Sequence, residues 1–175
     1  MPQAARRELA HRAPAHGIDI SGLDSGRRRE VSGPGLRTFL NIAREWKLSE
    51  NDKICVLGAP ARSTFHSWIA KARAGEAMTL PLDTLLRISA ILGIYQALTI
   101  IFVRDGDAAT WLRSPNQGLV FGGQAPLALI LAGSQDGIML VRRHLDAWRG
   151  GVFNVPAQGY DDTAPVITNA DIVFI

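Results

Sequence analysis

The feature that most constrains the fold is a long apolar segment between Pro81 and Phe102. Leucine and isoleucine recur in it at intervals of three and four residues, the spacing of one face of an α-helix. Asp83 and Arg87 are its only charged residues. Because so apolar a helix has to be buried, we expect it to join two halves of the chain. Gly93 interrupts the pattern, which leaves open either one helix with a weak point or two helices in succession.

Composition is that of a chain that folds around a hydrophobic core. Hydrophobic residues make up 47% of the 175 residues and charged residues 20%, which suits one medium domain or two small ones. No run of about 18 unbroken apolar residues is present, so the sequence predicts no membrane-spanning helix, and the first residues lack the apolar run of a secretory signal. The one cysteine, Cys55, offers no internal disulfide and no zinc site. These features predict a cytoplasmic protein.

Charge is distributed unevenly along the chain. No lysine or arginine follows Arg149, whereas Asp161, Asp162 and Asp171 do. A basic body with an acidic tail is compatible with nucleic acid at one end and a basic partner at the other. The arginine-rich residues 1–33 lack a sustained apolar period and predict a flexible basic arm with room for one short helix, which either contacts phosphates or is merely solvated.

The rest of the chain is predicted to be mainly α. Helical periods occur after Leu36, and capping or turn residues separate the short helices that follow. The last 24 residues, 152–175, have strand-like apolar ends around a polar middle and predict an extended C-terminal tail.

Two of the predicted helices, within residues 48–71, form a candidate helix-turn-helix. Ser49 is expected to cap the first helix, Gly58-Ala59-Pro60 to end it, and Ala74-Gly75 to end the second helix. In the second helix Phe65 and Trp68 are expected to face inward, about one residue later than in the usual motif. Either the turn is longer, or the pair has taken on a packing role. In a working motif the second helix enters the major groove of DNA, and the side chains predicted to contact DNA are Arg62, Ser63, Thr64, His66, Ser67 and Lys71.

Several short motifs together resemble a known family. They are Leu57-Gly58, residues 63–68 (STFHSW), residues 87–98 (RISAILGIYQAL), residues 111–116 (WLRSPN), Phe121-Gly122-Gly123 with Pro126-Leu127, and residues 141–145 (VRRHL) with Gly150-Gly151. In order and spacing they resemble the Xre/MbcA/ParS-type antitoxins, and within these the Xre antitoxins that accompany RES-domain toxins. The resemblance covers residues 46–151.

The resemblance implies an organisation and a function. A helix-turn-helix bundle at residues 34–102 would bind DNA and form dimers, and a small helical domain at residues 103–151 would bind the toxin. The partner RES toxins resemble ADP-ribosyltransferases and consume NAD. The antitoxin blocks them, and the complex commonly represses its own operon by binding operator DNA. No cofactor is implied for the antitoxin.

Candidate toxin-binding residues come from two parts of the chain. In the helical domain they are Trp111, Asn116, Phe121, Gly122, Gly123, Arg142 and Arg143. In the tail they are Asp161, Asp162, Phe174 and Ile175, whose carboxylates and apolar groups could occupy an NAD pocket in place of phosphate and ring contacts. Plainer interpretations stay open: Trp111 as a core anchor, the glycine pair as a turn, the arginines as a solvated helix face, and the tail as an added strand.

Other functions fit the sequence less well. An enzyme would need a nucleophile with a base, a carboxylate pair or a metal cluster, and Cys55 with His66 is the only conceivable pair. Cys55 lies among apolar residues, where an inert thiol is expected. His144 is a lone histidine, for which a surface or satisfied position is expected. A stand-alone helix-turn-helix regulator is the main alternative, followed by a structural adaptor that no longer binds DNA.

Overall fold

The computed structural model describes residues 24–102 and 106–150. Within these two ranges the chain is helical and contains no strand, so the mainly α prediction is confirmed there. The helices are α1 (Ser25–Glu45), α2 (Glu50–Val56), α3 (Arg62–Ala74), α4 (Leu82–Ile101), α5 (Asp107–Arg113), α6 (Pro126–Leu131) and α7 (Gln135–Arg149). The predicted tail and the first 23 residues lie outside the described ranges.

Helix α4 is the centre of the fold. It continues through Gly93 without a break, so the apolar segment is one helix. It packs against α1 on one side and α7 on the other, and one hydrophobic core includes side chains from all three. Each fully buried leucine or isoleucine contributes roughly 1.5–3 kcal/mol to folding; in α4 these are Leu85, Ile88, Ile91, Ile94 and Leu98.

The apolar character of α4 has a second consequence. By length and composition alone it is the one helix among the described residues that could span a membrane, contrary to the sequence-based exclusion of such a helix. Its charged residues Asp83 and Arg87 lie close to its first turn, so most of the helix is uncharged. Half of its apolar window is buried inside the fold, and packing against α1 and α7 accounts for this composition.

Helix α1 begins earlier than the sequence indicated. The prediction of a flexible arm as far as residue 33 is wrong for residues 25–33, which form the first turns of α1. The Asp24 side chain caps this helix by accepting a hydrogen bond of 2.7 Å from the Arg27 N–H. Ser32 and Gly33 are buried within these first turns. Pro34 lies inside the helix. Residues 25–33 have no sustained apolar period, which is why the sequence pattern did not place the start of α1 there.

Ser32 connects α1 to the segment before α4. Its hydroxyl donates to the Arg28 carbonyl at 2.6 Å and accepts from the Leu80 N–H at 2.9 Å. Its side chain is fully buried, so water is not available to replace either bond. The Leu80 N–H therefore depends on this one hydroxyl.

Polar contacts also join the two halves of the chain. Arg87, on α4, bonds the Asp83 carboxylate and, at 2.7 Å, the Gly133 carbonyl between α6 and α7. The Cys55 thiol of α2 donates to the Leu131 carbonyl of α6 at 3.4 Å. A Cβ atom on Gly133 would lie 2.5 Å from the Cys55 sulfur. The close contact of α2 with α6 thus requires glycine at position 133.

Replacing Ser32 tests the connection between α1 and Leu80. The Ser32→Ala variant leaves the Leu80 N–H buried without a partner, and we expect a loss of about 1–3 kcal/mol in the free energy of unfolding. Thr38→Ala is the matched control: Thr38 is exposed on the same helix, and its hydroxyl bonds a carbonyl four residues back in the same way. Urea denaturation measures both variants, and equal losses would contradict the assigned role of Ser32.

Candidate functional site

The α2–α3 pair is built from the local signals that the sequence contains. Ser49 caps α2, and a capping box with Asp52 is present, with the Ser49 N–H donating to the Asp52 carboxylate at 2.9 Å. Gly75 ends α3 in the left-handed conformation that glycine adopts without strain. The predicted cap and both predicted helix ends are confirmed.

The turn between α2 and α3 explains the displaced apolar residues. It spans residues 57–61 and contains two successive residues with positive φ, Gly58 at 93° and Ala59 at 54°. This is longer than the three- to four-residue turn typical of the motif, so of the two explanations offered by the sequence the longer turn is found. Phe65 is buried and Trp68 is half-buried, as expected for the inner side of α3.

All six side chains predicted to contact DNA are exposed on α3. Arg62 is nevertheless engaged with α2: it lies 2.8 Å from the Glu50 carboxylate and bonds the Asn51 side chain at 2.5 Å. His66 Nε2 is 3.5 Å from the same Glu50 oxygen. The start of α3 therefore presents an arginine and a histidine around one carboxylate.

A second candidate region is a cluster of rings in the C-terminal half. We call it the aromatic cluster; it consists of Phe102, Trp111, Phe121, His144 and Trp148. The Trp111 and His144 rings are stacked with centroids 6.1 Å apart, and Phe121 meets His144 edge-on at 4.7 Å. Such pairs add about 0.5–1.5 kcal/mol each beyond their buried area. The cluster joins the end of α4, α5, α7 and the connection between α5 and α6.

His144 is the titratable member of the aromatic cluster. Burial among the rings lowers the pKa of its imidazole below the usual 6.5, because removal from water disfavours the charged form. The sequence indicated a surface or satisfied histidine. Its half-buried position beside the rings of Trp111, Phe121 and Trp148 was not predicted, since these residues come from separate segments.

Residues 114–125, which we call the α5–α6 loop, are held by their own backbone. Asn116 is the centre: its side chain accepts from the Gly118 N–H at 2.9 Å, and its carbonyl accepts from the Gly123 N–H at 3.0 Å. Gly122 and Gly123 have φ of 55° and 82°, which favours glycine. The interpretation of the glycine pair as a turn is confirmed, and the two Asn116 hydrogen bonds fix that turn.

The two arginines predicted to contact a toxin occupy different positions. Arg142 bonds Asp146 at 2.7 Å and reaches the Ser89 carbonyl of α4 at 3.4 Å, with only 21% of its side chain exposed. A Cβ atom on Gly93 would overlap its guanidinium, so Arg142 lies in the contact of α7 with α4. Arg143 is exposed.

The remaining predicted residues are Trp111, which is half-buried in the aromatic cluster, and four residues of the tail. Asp161, Asp162, Phe174 and Ile175 lie outside the described residues. Nowhere in ranges 24–102 and 106–150 do three or more histidine, cysteine, aspartate or glutamate side chains group as metal ligands would.

Comparison with known proteins gives a family match for the C-terminal part of the chain. Residues 97–151 match the family model of the antitoxin Xre/MbcA/ParS C-terminal toxin-binding domain. In this segment the chain is similar to the toxin-binding domain of that antitoxin family. It is also 45% identical over 116 residues to a protein of Sinorhizobium fredii (strain NBRC 101917 / NGR234) named "Uncharacterized protein y4oB". That alignment covers 66% of this chain and 84% of the relative.

The family's toxin-binding domain begins within α4. Its match starts at residue 97, in the last turns of α4, and continues through α5, α6 and α7. The whole aromatic cluster and the α5–α6 loop lie inside it. The matched domain therefore shares its first helix, α4, with the part of the fold that contains α1.

The pKa of His144 predicts a pH dependence of stability. Because the folded pKa is below the unfolded value, this residue's contribution is complete above about pH 6.5 and is lost as pH falls towards the folded pKa. NMR titration should give His144 a lower pKa in the folded chain than in the same chain unfolded in urea. Equal pKa values in the two states would contradict burial of the imidazole in the aromatic cluster.

Proposed function

We propose that this chain is the antitoxin of a type II toxin–antitoxin system and neutralises a RES-type toxin. The observation that carries the proposal is the match of residues 97–151 to the toxin-binding domain of the family. The segment resemblance to Xre antitoxins favours a RES partner over other toxins. Such a partner would consume NAD, and the antitoxin would act by covering its active site.

The C-terminal tail is the proposed inhibitory element. It follows α7, the last helix of the toxin-binding domain, and it combines Asp161 and Asp162 with the apolar end Phe174-Ile175. A site that holds an anionic pyrophosphate beside flat rings is expected to accept carboxylates and apolar groups of this kind. The exposed Arg143 would contact the toxin outside the pocket.

Co-expression with the protein encoded by the adjacent reading frame tests the proposed function. The neighbour alone should stop growth and deplete cellular NAD, and this chain should restore both and co-purify with it. A chain that ends at Gly151 separates the role of the toxin-binding domain from that of the tail. It should still co-purify with the toxin but should restore growth poorly. Growth arrest without loss of NAD would contradict the RES assignment, and absence of any complex would contradict the antitoxin function.

We further propose that the α2–α3 pair is a helix-turn-helix that binds operator DNA. The support is the exposure of the six polar side chains on α3 and their position over a buried Phe65. In this proposal Arg62 leaves Glu50 to bind a phosphate or a guanine. The Glu50 carboxylate would then lie beside the phosphate backbone, and its negative charge would weaken DNA binding.

A second copy of the chain is the proposed partner at the outer side of α1 and α4. A groove of about 280 Å³ lies there between the two helices, and Val31 at its edge is 38% exposed. Helix-turn-helix proteins bind two half-sites as dimers, which favours a second copy over an unrelated protein. The apolar residues that line the groove are Val31, Leu85, Leu86, Ile88 and Leu92.

Removing the Glu50 charge tests DNA binding. The Glu50→Gln variant should bind the promoter upstream of its operon up to about fivefold more tightly, since an exposed charge pair is worth at most about 1 kcal/mol. Glu76→Gln, with the same charge change beyond the far end of α3, is the control. Gel shifts over a range of salt concentrations measure both, and binding must weaken as salt rises.

Two outcomes would contradict the DNA proposal. One is an equal gain in affinity for both variants, which would mean that only net charge matters. The other is no salt-dependent shift at all, which would favour the structural adaptor. A shift without any toxin partner would favour the stand-alone regulator.

A further inference from the structure

The tip of the α5–α6 loop consists of two apolar residues whose side chains are exposed to solvent. Leu119 is fully exposed, at 103% of its reference area, and the next residue, Val120, is 40% exposed. Burying a leucine side chain stabilises a fold by roughly 1.5–3 kcal/mol. Leu119 contributes nothing of this kind to the stability of the free chain, because its side chain is not buried. Among the large hydrophobic side chains of the described ranges, none is more exposed.

The tip is held in place from both sides. On one side Asn116 accepts the Gly118 N–H, and on the other the Phe121 N–H donates to the Gly118 carbonyl at 2.9 Å. The Phe121 ring, only 3% exposed, is anchored in the aromatic cluster. Since little chain motion has to be stopped on binding, a fixed tip loses less conformational entropy than a free loop would.

The loop also lacks charge. Residues 114–125 contain no lysine, arginine, aspartate or glutamate, so none of their side chains carries a charge that a partner would have to desolvate. The cores of protein interfaces are depleted of charged residues in the same way. A rigid, uncharged support around a protruding leucine is suited to an apolar pocket of another protein.

We propose that Leu119, assisted by Val120, is the apolar anchor by which this chain engages its toxin. The inference rests on the proposed function, because the loop lies within residues 97–151, the toxin-binding domain of the family. The toxin would therefore present an apolar pocket for one aliphatic side chain. This contact is separate from the tail and would provide affinity rather than block the active site.

Calorimetric titration of the full-length chain with the purified protein of the adjacent reading frame tests the anchor. Leu119→Ser should weaken binding at least about tenfold, which corresponds to about 1.4 kcal/mol, and Leu119→Met should retain most of the affinity. Gln117→Ser, in the same loop, is the control and should bind like the wild type. The thermal midpoint of Leu119→Ser should be unchanged, because the side chain has no packing to lose.

The possible outcomes distinguish this inference from the proposed function. If Leu119→Ser binds as tightly as the wild type, Leu119 is not the anchor, whereas the proposed antitoxin function is unaffected. If Leu119→Ser still binds the toxin but no longer self-associates in sedimentation experiments, the tip forms a contact between copies of this chain. That result would also contradict the proposed role of Leu119 in toxin binding. If the wild type itself does not bind, the proposed function fails and the anchor fails with it.

Discussion

The burial of α4 between α1 and α7 is the constraint on which the rest of the structure depends. A helix with so few charges is stable in water only when other helices cover it. On the α7 side the contact is close because Gly93 has no side chain, which leaves room for the guanidinium of Arg142. Arg142 in turn bonds Asp146 and the Ser89 carbonyl. The position of α7, and with it the aromatic cluster, follows from this contact.

The shared helix has a functional consequence. The toxin-binding domain begins at residue 97 inside α4, and the same helix packs on α1, which contacts α3. Arg87 adds a polar connection to Gly133, between α6 and α7. The proposed DNA-binding face and the toxin-binding domain are thus parts of one packed core, rather than two domains on a linker. A partner on one part therefore meets a surface whose position relative to the other is fixed.

The sequence predicted what depends on local chemistry and missed what depends on tertiary contact. The Ser49 cap, the Gly75 end of α3 and the Gly122-Gly123 turn follow from local backbone preferences, and all are found. The start of α1 was misplaced because residues 25–33 have no sustained apolar period, and only the folded chain shows that Ser32 and Gly33 are buried there.

The candidate sites show the same division. Exposure of the polar face of α3 follows from helical periodicity and was predictable. The Arg62–Glu50 pair, the packing role of Arg142 and the aromatic cluster join residues far apart in the chain, and no local pattern indicates them. Leu119 was missed because a single leucine in a loop has no periodicity, and only its exposure in the folded chain distinguishes it.

Native-state hydrogen exchange of the full chain tests the single packed core most directly. If α4 belongs equally to both halves, the slowest amides of α1, α4 and α7 exchange through one global opening, with the same free energy and the same dependence on denaturant. If the amides of α7 exchange through a separate opening of lower free energy while α1 and α4 stay protected, the toxin-binding helices form an independent unit and the account is contradicted.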